Sequence, residues 1–308
     1  MFSVSVEEVL LGAIGAMIGL FWTFLGAAIL LNSIEFSEGK LQSVLDIREA
    51  FAKKFPGKRV IRGVDAKLGQ FPHQIRLLIY VDFLKEDHQE RHLCGGSIID
   101  ERWVLTAAHC ILEGNDKTII SYKVEAGYVN TAYANNKYTQ SFYVASKDAH
   151  RHPKYNSATL INDIGLIKTG KFDFTRSNVK PIPLTTESPN SFVGQLMVTS
   201  GYGYISNVGP VSQKLNWTKL KIIPFDKCQK AYDETIPETC FCAEDQNPRK
   251  SSICSGDSGG PVIIKIDGEH KLIGVVSFGH VDGCDTTPQG FTNVFSSIKW
   301  IQYVKTRK

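Results

Sequence analysis

The chain opens on an unbroken apolar run. Residues 9–31, VLLGAIGAMIGLFWTFLGAAILL, are 23 positions without a charge. That is long enough to cross a bilayer as a helix, and it lacks the polar face that a helix on a soluble core presents. A secretory signal has a shorter apolar centre and a basic flank. Here Glu7 and Glu8 come first, while Gly26-Ala27-Ala28 offers small residues for cleavage. The run therefore reads equally as a cleaved signal and as a retained anchor. Residues 32–59 are mixed and charged. Leu41, Val44, Leu45, Ile47 and Phe51 hint at a short amphipathic helix, Pro56-Gly57 ends it, and Lys58-Arg59 is an exposed basic pair. Residues 1–31 are thus expected to be a hydrophobic signal or signal-anchor, and 32–59 a linker or pro-segment.

From Val60 the pattern changes to short apolar runs broken by turns. The stretches 74–81, 122–129, 164–169 and 219–224 read as strands. In 261–278, Asp267-Gly268 separates two apolar runs and predicts a two-residue hairpin. Helical spacing is nearly absent until Ile298, Ile301 and Val304, with Trp300 beside them. Many strands over about 250 residues predict an all-β barrel or sandwich as one unit, with a short C-terminal helix.

Composition changes this picture little. Hydrophobic residues make up 43% and charged residues 21%, an ordinary globular balance that argues against disorder. The net charge of +4, without a Lys/Arg run, gives no reason to expect nucleic acid as a partner. The seven cysteines all lie between 94 and 284 and form no paired CxxC spacing, which argues against zinc and fits disulfides in an oxidising compartment. No strong calcium motif is present, and no metal or other cofactor is expected.

Three stretches carry chemistry: LTAAHC with His109, NDIGLIK with Asp163, and CSGDSGGP with Ser258. Singly, each has a plain structural explanation: a buried histidine, a turn, a loop. Together they supply one mechanism. A serine hydroxyl needs a base, and an imidazole serves near neutral pH. The imidazole needs a carboxylate to hold its tautomer, and the oxyanion needs fixed N–H donors that glycines allow to come close.

In that order, TAAHC, DIGLIK and GDSGGP resemble the chymotrypsin-fold (trypsin-like, S1) serine proteases, and the likeness covers 60–308. The resemblance implies two antiparallel six-stranded β-barrels with the catalytic residues between them. It makes His109 the general base, Asp163 its orienter and Ser258 the nucleophile, with the N–H groups of Gly256 and Ser258 as the oxyanion hole. It places Ser277 near Asp163, lining the substrate cleft. RVIRGVDAKLGQFPHQ resembles an activation junction, so cleavage after Arg59 frees Val60 to pair with Asp257. Arg62 replaces one of the family's usual glycines there. Implied disulfides are Cys94–Cys110, Cys228–Cys242 and Cys254–Cys284. A further bridge common in the family is missing, its two positions being Met197 and Ile264, and Cys240 is left over.

By the same resemblance, Ser252 lies at the base of the specificity pocket and carries no charge, while Gly279 leaves the entrance open. A preference for large apolar or aromatic residues follows. Gln289 departs from the family's small residue: its amide either shortens the pocket or hydrogen-bonds a polar side chain, or it points outward and does nothing. Phe278 replaces the usual tryptophan of the cleft wall. Asp282, at the rim, adds only a screened charge. Alternatives are therefore a protease of broad, elastase-like or collagenase-like specificity, and a non-catalytic homologue serving as a binding scaffold. Asn216-Trp217-Thr218 is a sequon and predicts a glycan on a surface loop. Expected partners are protein or peptide substrates, a trypsin-like activating protease and protein inhibitors, on a monomer. The expected location is extracellular, either secreted or tethered through 9–31 with the protease domain outside.

Overall fold

The computed structural model describes residues 63–84, 88–115, 118–133, 138–175, 177–207, 209–232, 236–246, 251–279, 283–284 and 288–307. The expectations for 1–31, 32–59, Arg59, Val60, Arg62 and Asp282 lie outside the described residues. All described residues belong to the compact unit Lys58–Lys308.

The unit is built from two antiparallel sheets. A short strand β1 (Val64–Asp65) belongs to the second. The first comprises β2 (Gln74–Phe83), β3 (His88–Ile98), β4 (Trp103–Thr106), β5 (Thr118–Ala126), β6 (Gln140–Ala145), β7 (Ala149–Arg151) and β8 (Gly165–Lys168), in the order β6-β5-β2-β3-β4-β8-β7. Its edge strands β6 and β7 are consecutive pieces of chain, separated by a single 3-10 turn at Ser146–Asp148. The six strands expected are thus seven segments, because the last is split. The split lets one extended stretch hydrogen-bond to β5 with its first half and to β8 with its second.

The second sheet holds β9 (Leu196–Gly201), β10 (Asn216–Ile222), β11 (Cys240–Glu244), β12 (Pro261–Ile266), β13 (Glu269–Phe278) and β14 (Gln289–Asn293). β9 pairs with both β10 and β12, so these six strands close on themselves, and β1 adds to β10. The β12–β13 hairpin turns at Asp267 (φ 49°) and Gly268 (φ 86°), the left-handed pair that a tight Asp-Gly turn demands. Helix α1 (Phe225–Ala231) was not expected from the sequence; α2 (Ile298–Thr306) was, and it buries Ile301 and Val304.

One apolar cluster runs through both sheets, joining Ile75, Leu77 and Tyr122 of the first to Ile263, Leu272 and Val275 of the second. Burying such side chains at about 25 cal/mol per Å² of apolar area is the main force holding the sheets together. Polar contacts add register. Ser200 donates to Gln74 (2.7 Å), and the Tyr202 hydroxyl donates to the Tyr128 carbonyl (2.5 Å), both buried between the two halves.

Candidate active site

Asp163 sits at the entrance to β8, fully buried. The residue before it, Asn162, adopts a left-handed backbone (φ 54°), which asparagine tolerates better than most residues. The Asn162 N–H donates to Thr239 (3.2 Å) and its amide donates to the Lys154 carbonyl (3.0 Å), so the turn is fixed from two sides. The Asp163 carboxylate is then saturated. One oxygen accepts from the His109 backbone N–H (2.9 Å). The other meets His109 Nδ1 (2.8 Å) and accepts from the Ser277 hydroxyl (2.6 Å). Thr292 donates to the Asp163 carbonyl (2.8 Å). These bonds hold the Asp163 side chain in place beside the imidazole, whose ring orientation it fixes.

Ser277 reaches Asp163 because of a bulge. β13 pairs Val276 with Phe291 and Phe278 with Gly290, so Ser277 is the extra residue that the ladder cannot accommodate. A bulge re-aims one side chain, here into the space between the sheets.

His109 lies in the 3-10 turn Ala108–Cys110, tied to β3 by the Cys94–Cys110 disulfide. The Ser258 loop is pressed against the same strand. The Gly95 N–H donates to the Ser258 carbonyl (2.7 Å), and Thr106 donates to the Gly95 carbonyl (2.8 Å). Among the described residues no hydrogen bond joins the Ser258 hydroxyl to the imidazole, whose ring bond runs to Asp163. Gly256 has φ 91° and Gly259 has φ 79° on either side of the serine, and among the described residues neither the Gly256 nor the Ser258 N–H is engaged by a carbonyl. Two donors flanking a hydroxyl suit a developing oxyanion.

Asp257 points the other way and is buried. Its oxygens accept from the Gly203 N–H (2.7 Å) and the Cys254 N–H (3.0 Å). No cation pairs with it among the described residues, and burial pushes its carboxyl up to about 6, against the pull of those two N–H bonds. The cradle needs glycine: a Cβ on Gly201 would lie 2.1 Å from an Asp257 oxygen.

The disulfides Cys94–Cys110, Cys228–Cys242 and Cys254–Cys284 are all formed, and Cys240 is a buried free thiol. Burial, and next the nearby Asp163 charge, push that thiol up to about 12, so it is held protonated in the core. Met197 and Ile264 are buried in one apolar cluster of the second sheet, where the family's extra bridge is absent.

In the pocket region Ser252 is buried, and its hydroxyl has no partner among the described residues. Gln289 is also buried. Its amide nitrogen donates to the Cys284 carbonyl (2.8 Å), and a Cβ on Gly279 would lie 3.3 Å from its carbonyl oxygen. Gln289 therefore points inward; the outward alternative does not hold. The Phe278 ring lies flush against Gly290, where a Cβ would come within 2.2 Å of it, and meets Tyr232 edge-on at 5.3 Å.

One expectation is corrected. Asn216 is not on a surface loop but in β10, fully buried, with its amide donating to Ser212 (2.8 Å) and the Lys214 carbonyl (2.6 Å). A folded chain cannot present that nitrogen to a glycan-transferring enzyme. Sequence reading also missed Thr239, just before β11, and Thr292 of the neighbouring β14, which hold the Asp163 turn. They are far away in sequence, and no local pattern marks them.

Comparison with known proteins agrees with this geometry. The trypsin family profile matches residues 60–301. The chain is similar to a collagenase of Hypoderma lineatum, 34% identical over 264 residues, covering 84% of this chain and 89% of the collagenase. It is also similar to the serine protease SP24D of Anopheles gambiae, 30% identical over 254 residues, covering 82% of this chain and 83% of that one.

Proposed function

The chain belongs to the trypsin family of serine proteases, and on that footing we propose that Ser258, His109 and Asp163 are its catalytic triad, in an enzyme released from a precursor by cleavage after Arg59. The chain is a serine endopeptidase, and its substrates are proteins. The observation that carries the assignment is the double hold of Asp163 on His109, through backbone N–H and Nδ1.

With a substrate bound, Ser258 Oγ attacks the scissile carbonyl carbon while His109 Nε2 takes the hydroxyl proton. Charge moves onto the carbonyl oxygen, where the Gly256 and Ser258 N–H groups receive it. Asp163 stabilises the imidazolium without taking the proton itself. His109 then protonates the leaving amine, and an acyl-enzyme remains. A water attacks that ester by the same route in reverse, with His109 as base and Ser258 as leaving group.

Activation has a physical basis in Asp257. Its buried carboxylate has two N–H partners and, among the described residues, no cation. The Val60 ammonium freed by cleavage after Arg59 supplies one, at the residue beside the nucleophile. Completing such a buried pair is worth about 3–5 kcal/mol relative to leaving one member alone, enough to decide between two arrangements of the oxyanion loop. A trypsin-like protease is the activator, because the neutral Ser252 pocket gives this enzyme no hold on arginine.

Uncharged Ser252 and the absence of a side chain at Gly279 support a preference for large apolar or aromatic residues before the scissile bond. A second reading is favoured by the buried Gln289, whose carbonyl faces Gly279 and narrows the pocket: elastase-like or collagenase-like cleavage, in line with the name of the Hypoderma relative. The three disulfides support an extracellular location, by secretion or by tethering through 9–31. Among the described residues no helix is long and apolar enough to cross a membrane. Protein inhibitors shaped to the cleft are its regulators, and a monomer is its working form.

The test is to cleave the purified chain after Arg59 and profile it on a peptide library. We expect hydrolysis after aromatic residues and leucine that the Ser258→Ala variant lacks. Cleavage after small or amide residues supports the second reading, and no hydrolysis by the processed chain overturns the enzymatic assignment in favour of a binding scaffold.

A further inference from the structure

Away from the Ser258 crevice, the first sheet and α2 enclose a groove of about 1010 Å³; none of His109, Asp163 and Ser258 lines it. Four cations, Lys147, Arg151, Lys168 and Arg307, face two carboxylates, Glu113 and Asp148. Arg151 is paired with Glu113 (3.0 Å). Among the described residues, Lys147, Lys168 and Arg307 make no ion pair. Two of them are instead placed over aromatic faces, Lys168 above Trp103 (5.8 Å) and Arg307 above Tyr303 (5.4 Å). A cation–π contact holds an ammonium or guanidinium in position while leaving its hydrogen-bond donors unspent. The groove therefore carries pre-positioned positive charge with unused donors, the arrangement a polyanion needs.

The aromatic rings narrow the ligand class. A single-stranded nucleic acid is gripped by bases stacked on open aromatic faces. Here Trp103 is buried and packed by His150 (5.9 Å) as well as by Lys168, and Trp300 is packed by His152 (4.9 Å). These indoles are occupied by the protein's own side chains. What the groove offers is fixed cations, which suits anionic groups carried on a chain of sugars. We propose that this groove binds a sulfated polysaccharide through Lys147, Lys168 and Arg307, at a place separate from the substrate cleft. Such a site would hold the protease on an anionic matrix while the cleft stays open.

The probe is a heparin fragment, measured by column retention and by titration with the intact chain. The parent chain is expected to be retained at about 0.15 M NaCl, where exposed charges are already screened beyond about 8 Å. The paired variant Lys168→Gln/Arg307→Gln should bind about tenfold more weakly, with a shallower salt dependence, since two counter-ion-releasing contacts are gone. Lys147→Glu, an exposed change that disturbs no packing, should weaken binding on its own. The control pair Lys219→Gln/Lys265→Gln, on β10 and β12, should bind as the parent does, and cleavage of a short peptide should be unchanged in every variant. Absence of retention overturns the proposal. So does equal loss in the control pair, full binding by Lys147→Glu, or tighter binding of a single-stranded oligonucleotide than of heparin.

Discussion

Gly259 shows how closely single atoms define this site. Its φ of 79° belongs to the left-handed region, and a Cβ there would lie 2.2 Å from Thr106 Oγ1 and 2.6 Å from the Gly95 carbonyl. Both neighbours belong to the frame that positions the Ser258 loop against β3. Gly259→Ala is expected to shift that loop and lower kcat/KM by about 100-fold or more, since a displacement of about 1 Å is enough to do so; steady-state kinetics on a peptide substrate checks it. The GDSGGP stretch announced this residue in the sequence. Other single residues were not announced. Asn216 matched a glycosylation pattern, but the pattern is blind to burial, and the side chain is spent inside the fold on Ser212 and Lys214. Gln289 could be placed in the pocket by sequence, but only the structure turns its amide inward, beside Gly279.

Strands that alternate or run apolar were readable because one or both of their faces enter the core. β2, β8 and the β12–β13 hairpin are of this kind and fall where the pattern predicts them, while β5 and β10 begin four and three residues before the apolar runs 122–129 and 219–224. β3 was hidden because its first half, His88–His92, is exposed and polar; pairing with β2, not burial, makes it a strand. α1 spans seven residues, too few for helical spacing to register. The bulge that delivers Ser277 to Asp163 depends on how β13 lies against β14, which no local stretch encodes. Contacts between the two halves are likewise invisible in sequence, and Tyr202 gives a clean measure of one. Its hydroxyl, buried beyond the end of β9, donates to the Tyr128 carbonyl beyond β5. Tyr202→Phe leaves that carbonyl buried without its donor, so the variant should be less stable by about 1–3 kcal/mol. Equilibrium urea unfolding reads this directly, and a stability equal to the parent's would show that the bond does not clasp the halves.

At the scale of the whole molecule, two sheets share one core, and the chemistry lies where they meet. Burial there carries a pH signature. His73, at the lead-in to β2, is buried; burial first, and then the nearby His270, hold its pKa down to about 3, against 6.5 in an unfolded chain. Below pH 6.5 the unfolded chain binds a proton that the folded chain refuses, so stability falls as the pH drops from 6.5 toward 3. In His73→Phe this loss disappears. The stability of the variant relative to the parent should therefore climb between pH 7 and pH 4, as followed by thermal unfolding at each pH; a constant difference would contradict the assignment. The central claim concerns the alcohol itself. After cleavage at Arg59, the chain is treated with an irreversible serine-directed phosphonate bearing an aromatic group, and the adduct is located by peptide mass. Stoichiometric modification at Ser258, abolished by His109→Ala, is the predicted result; a processed chain that stays unmodified, or that reacts equally well without the imidazole, would contradict it.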